Sequence, residues 1–199
     1  MLVFEISPDL MGILTRLSPV CAFQECKAYL VGGFVRDWLV GRDTSDLDIA
    51  VSGDSLAVAQ EAAELVDGRY VILDEENRVG RVVVTGDSEP WHIDITSYAG
   101  DIERDLLRRD FTVNAMALDL AAFVSGEVSL LDPSGGEDDL KKGLLRQVSD
   151  RVFESDPSRL MRAVRLSREL NLEIDPITEG TIRLNRDRKS TRLNSSHRL

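Results

Sequence analysis

Two aspartates separated by one leucine open an apolar run in "GRDTSDLDIAVSGD", residues 41–54. Carboxylates are among the side chains least often buried unless something pairs with them. Side chains alternate across a strand, so Asp46 and Asp48 share one face of "LDIAV" while Leu47 and Ile49 face the other way. Two like charges that close repel, and they coexist cheaply only with a cation between them. An all-oxygen pair suits Mg²⁺, which keeps several waters and takes one or two protein carboxylates plus substrate phosphates. A D-x-D by itself is more often a solvated strand end.

The flanks strengthen the metal reading. Upstream, "LVGGFVRD" places Gly32 and Gly33 between a short strand and a helix, with Arg36 one turn later. Glycines there let backbone N–H groups approach a phosphate at the positive end of a helix. Asp94 in "WHIDITSY" stands between Ile93 and Ile95 and offers a third carboxylate from a neighbouring strand.

The 199 residues, 43% hydrophobic and 30% charged, suffice for one core and a smaller appendage. The net charge of −11 argues against a nucleic-acid partner for the chain taken whole. Its distribution argues otherwise. Residues 1–140 hold 10 Lys/Arg against 27 Asp/Glu, whereas residues 141–199 hold 14 against 8. The basic C-terminal part is the place for phosphates. No apolar run approaches the roughly 20 residues of a membrane span. The acidic start, with Glu5 and Asp9, is a poor signal peptide. Cys21 and Cys26 suggest neither a disulfide framework nor a zinc site. A cytoplasmic, reduced protein is expected.

Periodicity and turn residues predict a helix over 8–26, then strands at "KAYLVGG", "SDLDIAVSG", "RYVILDEE", "RVGRVVVTG" and "WHIDITSY". Helices are expected at "FVRDWLVG" and at "SLAVAQEAAELV", the latter capped by Asp54 or Ser55. From Asp156 the pattern is helical, with Pro157 at the first position and Asp156 as cap. The order predicts an α+β domain followed by an all-helical segment. The divisions are residues 1–26 (N-terminal helix), 27–148 (main domain), 149–187 (start of a helical region) and 188–199. That last stretch, Ser/Arg-rich and without an apolar face, reads as a disordered or non-native tail. The helical part is therefore expected to be cut short.

Three stretches in order carry a family resemblance. "YLVGGFVRDWLVGRDTSDLDIAV", "RRDFTVNAMALDL" and "DPSRLMRAVRLSREL" resemble the head-domain signatures of the class II tRNA nucleotidyltransferase and poly(A) polymerase family. The resemblance implies a polymerase-β-like nucleotidyltransferase fold. It also implies Mg²⁺-dependent addition of C, CC-A or A to the 3′ end of tRNA from CTP and ATP, without a nucleic-acid template. It assigns the metal to Asp46 and Asp48, triphosphate contacts to Gly33 and Arg36, and a phosphate contact to Arg109. Asp156, Arg159, Arg162 and Arg165 match the motif that holds and reads the incoming base. Asp94 would complete a catalytic triad with Asp46 and Asp48. Read without the resemblance, Asp156 is a helix cap and the arginine stripe a solvated face.

Two features depart from the family pattern. Arg109 follows Asp94 by only 15 positions, too few for the long flexible loop usual there, and this resembles the enzymes that add only CC. Ser155 stands where the family often has Glu. A poly(A)-adding enzyme and a nucleotide- or RNA-binding module with little turnover are the alternatives.

Overall fold

The computed structural model describes residues 6–20, 26–85 and 89–195, with side chains given to Arg186 apart from Ser155. Cys21, and the parts of the expected N-terminal helix and tail at 1–5, 21–25 and 196–199, lie outside the described residues.

The chain begins with helix α1 (Pro8–Leu17), capped by the Ser7 hydroxyl, which accepts from the Leu10 N–H at 3.2 Å. Strand β1 (Ala28–Val31) runs directly into α2 (Gly32–Leu39). Strand β2 (Asp46–Val51) follows, then α3 (Ser55–Leu65), whose cap is Asp54. Strands β3 (Arg69–Asp74), β4 (Val79–Val84) and β5 (Trp91–Ser97) complete the first half. Helix α4 (Ile102–Leu106), a 3-10 turn at Thr112–Asn114, β6 (Ala117–Asp119), α5 (Leu120–Val124) and β7 (Leu130–Leu131) come next. The remainder is α6 (Gly136–Lys141), β8 (Leu144–Leu145), α7 (Val152–Ser155), α8 (Arg159–Glu169), β9 (Glu173–Ile174) and α9 (Pro176–Ser195).

Seven strands form one mixed sheet in the order β3-β4-β5-β2-β1-β6-β7. β2 and β5 are parallel and the other neighbours antiparallel. The alternation of β2 decides the two faces. Leu47, Ile49 and Val51 join Leu30, Val82, Ile93 and Ile95 in the main core, roofed by apolar residues of α1, α2 and α3. The other face carries Tyr29, Val31 and Ala50 under Tyr98, Ile102 and Leu106. Asp46 and Asp48 belong to this second face, as period two requires. A third cluster of Phe111, Val113, Leu145, Phe153, Ala163 and Leu166 ties the helical region to the segment after α4. Its burial fixes α8 against the sheet domain.

Three details differ from the sequence reading. Helix α8 starts at Arg159, not Pro157: the Arg159 and Leu160 N–H groups donate three residues back, to the Asp156 and Pro157 carbonyls at 3.2 and 3.3 Å, and the first four-residue bond runs from the Arg162 N–H to the Ser158 carbonyl. The Asp156 carboxylate still accepts from the Ser158 N–H at 2.9 Å, so its capping chemistry is spent on the turn that precedes the helix. Residues 144–145 and 173–174 pair as a two-stranded parallel ribbon, too short for any periodic signal. Helix α9 runs to Ser195, past Arg186 where the apolar pattern stops and through most of the expected tail. Arg, Lys and Leu are good helix formers, so the backbone there needs no apolar face to stay helical.

Candidate active site

A cavity of about 390 Å³ opens on the second face of the sheet, at the β2 end where the aspartates stand. Gly33, Arg36, Asp46, Asp48, Asp94, Arg162 and Arg165 all line it. Seven of the ten residues named from the sequence thus meet in one place, drawn from β2, β5 and two helices. Arg109, Asp156 and Arg159 are not part of its wall.

The floor is built by strand register. Asp46 lies opposite His92, and Asp48 opposite Asp94, across the parallel β2–β5 pair. Arg81 lies opposite Asp94 across the antiparallel β4–β5 pair. Asp48 is held from above by the turn into α2. Its carboxylate accepts from the backbone N–H of Gly33. Burial pushes the Asp48 carboxyl above its ordinary range, the Arg109 charge pulls it back, and Asp94 and Asp46 push it further up. Gly32 makes this approach possible. Its φ is +68°, and a Cβ there would stand 2.6 Å from Asp48 Oδ2.

Asp94 does not stand free as the third carboxylate. Arg81 Nε donates to its Oδ1 at 2.6 Å and Arg81 Nη2 to its Oδ2 at 2.7 Å, a bidentate pair. Among the described residues, no three His, Cys, Asp or Glu side chains are placed to hold a metal ion. Asp46 and Asp48 offer a two-carboxylate, all-oxygen donor pair, which fits a cation that keeps the rest of its shell for water and phosphate.

Arg36 is committed as well. It donates to both oxygens of Asp37, at 3.0 and 2.8 Å, and to Asn114 Oδ1 at 2.6 Å. Asn114 Nδ2 donates to Asp110 Oδ1 at 3.3 Å, and Asp110 Oδ2 faces Arg162 Nε at 3.1 Å. Arg36, Asp37, Asn114 and Asp110 are all buried. A continuous polar chain therefore runs from α2, through the 3-10 turn, to the arginine stripe of α8. The turn is clamped from outside: Thr112 Oγ1 donates to Asp139 Oδ2 at 2.8 Å, and Gly136 approaches so closely that a Cβ would meet the Thr112 carbonyl.

Arg109 stands beside Gly32, on the side that faces Asp48, is paired with Asp105 at 3.2 Å, and reaches Asp48 by charge. Arg159 lies 3.8 Å from Asp156 and donates to the Val152 carbonyl at 3.4 Å. The Ser158 hydroxyl, then the Ser158 N–H and, less strongly, the arginines Arg159 and Arg162 keep the Asp156 carboxyl below its usual range. Arg165 is 67% exposed, 4.0 Å from Glu169. Sequence reasoning missed Arg81, Asp37, Arg42 and His92, all in the cavity wall. Arg81 did leave a signal, as the one charged residue in the strand "VGRVVV".

Comparison with known proteins identifies the family. The family described as the poly A polymerase head domain matches residues 28–146, which include both aspartates of the floor. An A-adding tRNA nucleotidyltransferase from Deinococcus radiodurans is 42% identical over 156 residues, 78% of this chain and 33% of that protein. A CC-adding tRNA nucleotidyltransferase from Geobacter sulfurreducens is 37% identical over 155 residues, 78% of this chain and 35% of that protein. The chain thus spans about a third of the length of these relatives. Among solved structures, a Thermotoga maritima CCA-adding enzyme complexed with tRNA superposes with a TM-score of 0.79 at 31% identity, over 93% of this chain and 46% of that one. A CCA-adding enzyme with CTP gives 0.81 at 30%, over 94% and 47%. Among the described residues no helix is long and apolar enough to cross a membrane. With more than half of its length matched, and the carboxylate pair, the glycine turn and the arginine helix inside one fold, the chain belongs to the poly A polymerase head domain family.

Proposed function

We propose that this chain is the catalytic head, with the start of a helical neck, of a tRNA 3′-end nucleotidyltransferase that adds C and/or A from CTP and ATP. The observation that carries the reading is the shared cavity: Asp46 and Asp48 at its floor, Arg162 and Arg165 of α8 at its wall. In the proposed division, residues 27–148 are the head and 149–187 the start of the neck. The work is assigned to the cytoplasm, where tRNA and nucleotide pools meet.

In this reading the 3′-hydroxyl oxygen of the RNA attacks the α-phosphorus of the nucleotide and pyrophosphate leaves. Asp46 and Asp48 would hold Mg²⁺, which favours the ionised 3′-hydroxyl and neutralises triphosphate charge. Gly33 and the start of α2 orient backbone N–H groups toward the carboxylate floor and the triphosphate. Arg36 holds Asp37 and Asn114 in register beneath the site, and Arg109 offsets the buried charge of Asp48. Arg162 and Arg165 supply positive charge where the nucleotide enters. Asp156 accepts and Arg159 donates at the Watson–Crick edge of the base, replacing a template; a planar guanidinium suits that edge better than an ammonium.

The compact stretch between Asp94 and Arg109, which holds the end of β5 and all of α4, favours CTP, since re-aiming one Asp–Arg pair from cytosine to adenine calls for a movable lever. The A-adding relative at 42% identity supports the second reading, addition of the terminal A. The test is primer extension on tRNA lacking CCA with CTP alone, ATP alone and both, with products sequenced. One or two C residues from CTP are expected. Efficient single-A addition to tRNA ending in CC would favour the second reading. Long A tracts would mark a poly(A)-adding enzyme, and binding without turnover a nucleotide-binding module.

A further inference from the structure

Asp94 stands opposite Asp48 in the β2–β5 register, so three carboxylates, Asp46, Asp48 and Asp94, project from the same sheet face. Unrelieved, they would carry a charge of −3. The opposite register, β4–β5, delivers one cation to the same row: Arg81, which grips both oxygens of Asp94 at 2.6 and 2.7 Å. The pair is not a screened surface bridge, for the side chains are only 31% and 24% exposed. The hydrogen bonds to Asp94 hold the guanidinium more firmly protonated, and the charges of Asp94, Asp46 and Asp48 add to this.

We propose that Arg81 is the cavity's internal counter-cation: by occupying Asp94 it leaves an entering divalent cation two carboxylates, Asp46 and Asp48, and so sets how tightly that cation binds. The inference rests on the proposed cation site at Asp46 and Asp48 and adds a residue to it. Its logic is charge matching. Three aspartates with Arg81 leave −2 on the strand row, a charge that a divalent cation matches, while Arg109 acts on Asp48 from outside that row. Three aspartates without Arg81 would trap the cation too firmly for a site that must exchange it with each nucleotide and pyrophosphate. The planar fork of arginine matches a carboxylate at two points, which a lysine cannot do.

The test is Mn²⁺ titration of the whole chain, with free Mn²⁺ read by electron paramagnetic resonance and folding checked by circular dichroism. Wild type should bind Mn²⁺ in a manner lost with Asp48→Asn. Arg81→Gln, freeing Asp94, should bind about tenfold tighter or better, the scale expected for removing a unit charge beside a divalent cation. Arg81→Lys, which keeps the charge but loses the two-point grip, should fall between wild type and Arg81→Gln. Asp94→Asn should weaken binding, because Arg81 is left unpaired. The double variant Arg81→Gln/Asp94→Asn decides between partner and ligand, and should return to within about threefold of wild type. A folded Arg81→Gln protein with unchanged or weaker binding overturns the inference, as does a double variant as weak as Asp94→Asn, since Asp94 would then be a ligand. Asp48-independent binding in wild type and Arg81→Gln alike would instead overturn the cation site itself.

Discussion

Gly32 and Gly33 are neighbours in sequence, yet alanine at each should have different consequences. At Gly32 a methyl would stand 2.6 Å from Asp48 Oδ2 and 3.3 Å from Arg109 Nη1, on a backbone with φ +68°. The left-handed conformation costs an L-residue about 1–2 kcal/mol. Relieving the contact requires the Asp48 carboxylate to turn away from the Gly33 N–H, at a net loss of about 1 kcal/mol for the hydrogen bond. The sum, about 2–3 kcal/mol, lowers the melting temperature of a chain this size by about 5–10 °C. At Gly33 the methyl would meet only the end of the Arg36 side chain, at 3.3 Å, on a helical backbone that alanine prefers. Gly33→Ala should therefore cost less than about 1 kcal/mol. Urea and thermal denaturation of the two variants side by side give the comparison, and nucleotide addition should fall with Gly32→Ala because the displaced carboxylate belongs to the floor. If Gly32→Ala is no more destabilising than Gly33→Ala, the close approach of the turn to Asp48 is wrong.

Asp48, raised mainly by burial, contributes stability that is present below its unfolded value of about 3.9 and lost as pH rises through its higher folded value. In chelator, Asp48→Asn should thus be more stable than wild type at pH 7, with the gap closing toward about pH 4; a pH-independent or reversed gap speaks against that cause. Arg36→Ala leaves Asp37 buried without its bidentate partner and should cost about 3–5 kcal/mol in urea denaturation; a loss under 1 kcal/mol would show that the buried chain from α2 to α8 carries little. Asp156→Ala and Arg159→Ala should blunt discrimination of CTP and ATP from UTP and GTP by about tenfold, as unpaired polar edges cost about 1–3 kcal/mol. Full discrimination in both would leave Asp156 as a turn cap alone.

The faces of β2 were legible because period two is a local property: Leu47 and Ile49 had to go one way and Asp46 and Asp48 the other. Asp54 as the cap of α3 was equally local. What local pattern could not supply was who lies beside whom. The Asp48–Asp94 register joins strands far apart in sequence through a crossover, and Arg81 meets Asp94 only because β4 then doubles back on β5. Asp94 therefore read as a free third carboxylate, although Arg81 holds it. Asn114, in the same way, meets its partners only when the 3-10 turn sets it between Arg36 and Asp110. Asp156 sits at a helix start by composition, but the three-residue hydrogen bonds that follow it delay the α-helix to Arg159.

Nucleotidyl transfer is proposed for the sheet face that carries Asp46 and Asp48. Single-turnover addition of labelled CTP to tRNA lacking CCA, in Mg²⁺, tests it most directly when wild type is compared with Asp46→Asn and Asp48→Asn of unchanged circular dichroism. Each variant should lose at least about 10²-fold in rate, the scale of losing an electrostatic contact to the transition state. Near-wild-type addition by either folded variant would contradict it.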